Sequence, residues 1–170
     1  GCSFDAQGRD ILYTLKEADR VYVPFERLAI TGFTKPFEVV LDLGELSDPS
    51  RAVLYLYGST RFPDAGQINA ESDVYKASKQ GLKVTNPKVE VIDASGKWQE
   101  VASCGMPAGH KKTVTYPLYD AQGRSIFATA DHRVRLSLTQ EVYLDKAWVS
   151  CAQGDYQLTE LVPEIADLHY

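Results

Sequence analysis

Positive charge is what this chain lacks most: 18 lysines and arginines face 23 aspartates and glutamates, a formal net charge of −5. A phosphate backbone is held by concentrated basic side chains, so the composition excludes a nucleic-acid partner from the expected ones. Long apolar runs are missing too. The longest resemble Ala52-Val53-Leu54-Tyr55-Leu56-Tyr57, far short of the roughly 20 residues a helix needs to cross a bilayer, so no transmembrane segment is expected. Histidine and cysteine number three each. No two cysteines have the short spacing of a zinc or thiol-redox site, and His110, His132 and His169 are scattered. Glycine-rich phosphate loops, the nucleophile elbow G-x-S-x-G and the zinc helix H-E-x-x-H are absent. No catalytic residue, metal or cofactor is therefore assigned.

What the sequence has is a period of two. Phe37, Val39, Leu41 and Leu43 alternate with more polar neighbours, as do Val134, Leu136 and Leu138. This is the pattern of half-buried antiparallel strands. Further strands are expected over 20–25, 52–57, 88–92, 97–102, 112–118 and 142–150, which are rich in valine, tyrosine, leucine and threonine. With 170 residues, 44 % of them hydrophobic, the chain is read as one globular domain, 1–170. The expected fold is an all-β antiparallel sandwich, jelly-roll-like, with at most two short helices, serving as a module of a larger protein. Its core should include Val39, Leu41, Val89, Val91, Val134, Leu136 and Leu138, with Trp148 as the core tryptophan.

Three turns share one design: Asp5-Ala6-Gln7-Gly8, Asp93-Ala94-Ser95-Gly96 and Asp120-Ala121-Gln122-Gly123. The aspartate can accept from the backbone that follows, and the glycine closes a bulged hairpin. A short helix is expected over 71–80, stopped by Gly81. Residues 11–15 fit a helix or a strand equally.

The segment 58–80 reads as a long polar loop, and long loops inside compact domains often bind. Arg61 offers a planar donor fork, Asp64 and Asn69 add acceptors and a donor, and Tyr57 a stacking face; these four are the expected ligand-binding residues. The bland alternative is a loop that caps one end of the sandwich. Asp64, Asn69, Glu71 and Asp73 could also offer oxygens to calcium, without the regular spacing of a calcium loop. Tyr55 and Tyr57, with Trp98, Tyr116, Tyr119, Tyr143 and Trp148, fit either an aromatic platform for sugar rings or plain core packing. Cys104 and Cys151 stand at strand ends and are either a disulfide or two buried thiols. Gly1-Cys2-Ser3 has the look of a bacterial lipoprotein cleavage end, which would lipidate Cys2; the alternative is a residual tag glycine before an ordinary cysteine.

Several patches together resemble the C-terminal β-rich region of large bacterial FG-GAP/ASPIC-type and tetratricopeptide-repeat proteins. They are Asp19-Arg20-Val21-Tyr22-Val23-Pro24-Phe25, Leu54-Tyr55-Leu56-Tyr57-Gly58, Gly105-Met106-Pro107-Ala108-Gly109 with Lys112-Thr113, Glu141-Val142-Tyr143-Leu144-Asp145, and Ala166-Asp167-Leu168-His169-Tyr170. Where such relatives tend to carry tryptophan near Tyr143, this chain has Leu144, and Cys104 and Cys151 are peculiar to it. The resemblance implies no reaction. It implies an extracytoplasmic setting (periplasmic, cell-envelope or secreted) and a parent protein with repeat or propeller modules. The leading expectation is a non-catalytic accessory or interaction module whose partners are other domains of the parent protein or a surface glycan. The alternatives are a carbohydrate-binding module and a hydrolase pairing Asp64 with Glu71 or Asp73.

Overall fold

The computed structural model describes residues 2–5, 7–64, 71–103 and 105–151. The fold is all-β, with seven antiparallel strands among the described residues in one hydrogen-bonded network: β1 (Cys2–Asp5), β2 (Phe33–Asp42), β3 (Val53–Arg61), β4 (Lys88–Ile92), β5 (Trp98–Ser103), β6 (Lys112–Pro117) and β7 (Arg133–Ser150). Among the described residues there is one helix, α1 (Asp73–Lys79), and there are two single 3-10 turns, Leu12–Thr14 and Pro49–Arg51. The first of those turns resolves the choice left open at 11–15. No helix among the described residues is long and apolar enough to cross a membrane.

Strand β7 organises everything else. The two strands expected at its ends are one strand of 18 residues. Its first half lies between β2 and β4, with Leu136 opposite both Val39 and Val89. Beyond them lie β1 and β5. Its second half pairs with β3, which pairs with β6. The seven residues expected in the core are all buried, and they share one cluster with Leu54, Leu56, Val142 and Leu144 from the other half. Two sheet faces closing on one apolar layer is the sandwich arrangement.

A bulge breaks the period. Tyr57 lies opposite Lys146 while Gly58 lies opposite Leu144, so Asp145 is an extra residue in β7. Before it the even-numbered side chains face the core; after it Ala147 and Val149 do. Trp148 is consequently turned outward, 37 % exposed, and is not the core tryptophan. Parity arithmetic holds only while the ladder is unbroken. Gly58 is required here because a Cβ would lie 2.2 Å from the Tyr143 carbonyl oxygen.

The three Asp-Ala-x-Gly turns repeat one geometry. Asp5, Asp93 and Asp120 each accept from the backbone N–H two and four residues on, at 2.8–3.0 Å. Helix α1 starts at Ser72, whose hydroxyl accepts from Tyr75 N–H, and stops at Gly81, after which Leu82 N–H returns to the Ala77 carbonyl. Residues 20–25, expected as a strand, form no ladder. Val23 N–H donates to the Leu144 carbonyl at 3.2 Å, and the next residue is proline, which has no N–H to continue the pairing.

On the outer face of the first half, Arg135 grips Glu90 with two bonds of 2.9 and 2.6 Å, and Ser137 adds a third at 2.7 Å. The Arg135 guanidinium also lies 4.7 Å from the Trp98 ring centre. The Arg135 bonds outweigh burial and hold the Glu90 carboxyl below its ordinary 4.5. A depressed carboxyl stabilises the fold above its unfolded value and loses that contribution as pH falls through its folded value. Glu90→Gln should therefore cost about 1–3 kcal/mol near neutrality. The gap from wild type should close as urea midpoints are followed from pH 6 down to pH 3; a pH-independent gap would refute this account.

Candidate functional site

Where β7 passes from one half of the sandwich to the other, its sequence turns polar at Gln140-Glu141. Glu141 lies directly across the ladder from Arg61, the last residue of β3. Tyr143, two residues on and hence on the same face, donates its hydroxyl to Glu141 Oε2 at 3.0 Å. A hairpin-like arm from residue 26 to 35 folds over this point. Its rungs are Lys35 N–H to the Glu26 carbonyl at 2.8 Å and Leu28 N–H to the Phe33 carbonyl at 2.9 Å. The arm is fixed at Gly32, whose carbonyl accepts from Glu141 N–H at 3.1 Å. Gly32 has φ +86°, and a Cβ there would sit 2.4 Å from the Pro63 nitrogen, so only glycine fits.

Between the arm and the strand ends lies an open cleft of about 700 Å³, lined by Phe25, Arg27, Leu28, Thr31, Arg61 and Glu141 among others. Glu141 is only 2 % exposed. Among the described residues its carboxylate accepts one side-chain hydrogen bond, from Tyr143, whereas a carboxylate has room for about four. Arg27 and Arg61 are exposed, and among the described residues neither guanidinium makes a hydrogen bond or ion pair. Burial first, and then the bond to Glu141, push the Tyr143 hydroxyl up; Arg27 and Arg61 pull it the other way, so both guanidiniums act on this site. The cleft's other carboxylate, Glu26, is tied to Lys35 Nζ at 2.7 Å. The result is an acceptor on the floor with donors on the rim, beside the ring of Phe25.

Of the expected ligand contacts, Arg61 belongs to this cleft. Tyr57 is on the same face of β3 but four residues away, roughly 13 Å at strand rise, and it joins a different cluster with Lys111 Nζ 5.9 Å from its ring centre. Asp64 is exposed and does not line the cleft. Asn69 lies outside the described residues. Within the segment read as the loop 58–80, the start completes β3, and 73–79 forms the helix expected over 71–80. Asp64, Glu71 and Asp73 do not meet Glu141 at the cleft, and no group of three potential ligands able to hold a metal occurs among the described residues.

The aromatic row is a cross-strand pair. Tyr55 and Trp148 stack at 5.0 Å and 8°, with Lys146 Nζ 5.4 Å from the Trp148 ring centre. The ring faces are turned on each other, which strengthens the sheet instead of offering a flat platform. Cys2 is an exposed free thiol, and Cys151 is a free thiol packed against the core. Cys104, its expected disulfide partner, lies outside the described residues.

Sequence reasoning missed Glu141 and Arg27 as site residues and offered Tyr143 only as an aromatic of a platform or core. One signal was available: Gln140 continues the inward series of Val134, Leu136 and Leu138, so a polar residue occupies a core position just before Glu141. Gln140 is buried with Nε2 lacking a partner among the described residues, as are the hydroxyls of nearby Thr34 and Thr60. Compared with family models, curated proteins and solved structures, the chain matches none.

Proposed function

We propose that the protein is a non-catalytic accessory module of an extracytoplasmic bacterial protein, and that it acts by binding a carbohydrate in the Glu141–Arg61 cleft. The observation that carries this reading is a buried carboxylate with unused acceptor capacity, facing two uncommitted guanidiniums across an open cleft. Hydroxyl groups donate and accept, so a polyol satisfies floor and rim together. Phe25, whose ring stacks on Phe37 at 5.3 Å and meets Tyr143 edge-on at 5.2 Å, borders the cleft with apolar surface. Glycoside cleavage requires two carboxylates flanking the bond, whereas Glu141 is on the buried floor and Glu26 is exposed beside Lys35; the reading is of binding. The resemblance to β-rich regions of large envelope proteins supports the setting and the accessory role.

A glycan array tests this, with an unrelated β-sandwich as control. Wild type should bind a defined set of glycans. Glu141→Gln and Arg61→Ala should each lose at least tenfold in affinity while melting at nearly the wild-type temperature. Binding no stronger than the control, or full affinity in both variants, would refute the carbohydrate reading.

A further inference from the structure

Resting on the reading of the cleft as a carbohydrate site, we infer that it selects glycans bearing a carboxylate, with the acid group held by Arg27 and Arg61 at the rim and hydroxyls at Glu141 on the floor. The floor is not the place for the acid group, because it already holds a carboxylate and two like charges at one site repel each other. The rim can. A guanidinium presents a planar fork that matches a carboxylate through two parallel bonds, and both forks are uncommitted among the described residues. Glu26, which also lines the cleft, is paired with Lys35 rather than with either fork.

Charge elsewhere sharpens the point. The chain carries −5 overall, so diffuse attraction does not draw an acidic polymer to it. Preference for acid over ester must come from short-range fork geometry at two side chains. That makes lysine a poor substitute for either arginine, since a point charge lacks the planar pair of donors. Neutral hydroxyls gain less from a guanidinium than an ionised group does, which sets the direction of selectivity.

Calorimetric titration decides the matter, using oligosaccharides of galacturonic and glucuronic acid, their methyl esters, and neutral oligosaccharides of the same length. At least one acid form should bind ten times or more tighter than its ester. Arg61→Lys and Arg27→Ala should each bring the acid close to the level of the ester, and Glu141→Gln should weaken acid and ester alike. Equal affinity for acid and ester, or binding of neutral oligosaccharides alone, would overturn the acid preference and leave the carbohydrate reading standing. If no oligosaccharide of any class binds, both fail.

Discussion

Replacing Leu136 with alanine is expected to cost about 2–5 kcal/mol. The side chain has no exposed surface, and its residue lies opposite Val39 of β2 on one side and Val89 of β4 on the other. Its neighbours are held in two ladders at once, so the surroundings can relax only a little into the space left behind. A cavity lined by valines and leucines stays dry and loses contacts outright. Since a domain of this size is stable by only about 5–15 kcal/mol, this one substitution should remove a large fraction of the total. Equilibrium unfolding in urea measures it directly, and a loss below about half a kcal/mol would mean that the inner face has been misassigned.

Asp145→Ala should cost about 3 kcal/mol, toward the lower end for breaking a buried ion pair. Asp145 is fully buried, accepts from Arg20 N–H at 2.8 Å and is paired with the Lys111 ammonium. That ammonium also lies 4.8 Å from the Tyr22 ring centre. Removing the carboxylate orphans a backbone donor and a cation, but Lys111 is 27 % exposed and can turn toward water. The reverse substitution, Lys111→Met, should cost more, because Asp145 has no such escape. The bond to Asp145 above all, and then that to Tyr22, raises the Lys111 pKa above its ordinary 10.5. The pair's contribution should therefore be complete below pH 10.5 and be lost as pH rises through the higher folded value. Urea midpoints for both variants, compared with wild type at pH 7 and above pH 10.5, check the order and the pH trend; Lys111→Met proving the milder change would overturn it.

The fold was legible wherever one residue pattern met one physical demand. Val39, Leu41, Val134 and Leu136 follow strict alternation, and each turn signalled by Asp-Ala-x-Gly forms. Alternation could not reveal that 133–138 and 142–150 are one strand, since Gln140 and Glu141 interrupt the apolar series between them. Nor could it reveal the extra residue at Asp145 that turns Trp148 outward. Both depend on pairing with β3, which is a long-range matter. Arg61 was legible as a polar residue at a strand end. Glu141 and Arg27 were not, because the cleft exists only once the arm carrying Gly32 reaches β7, more than a hundred residues later in the chain.

The sharing of β7 bears on how the molecule can come apart. In a sandwich of two separate sheets, one layer can open while the other persists, giving sub-global units of different stability. Here the same 18-residue strand is the middle of one layer and, paired among the described strands with β3 alone, the outer strand of the other, so the two layers share one continuous backbone. Partial opening is thereby penalised, and the β7 amides bonded to β2, β4 and β3 are expected among the slowest to exchange. Anything that grips Glu141, at the crossing point itself, tightens both at once.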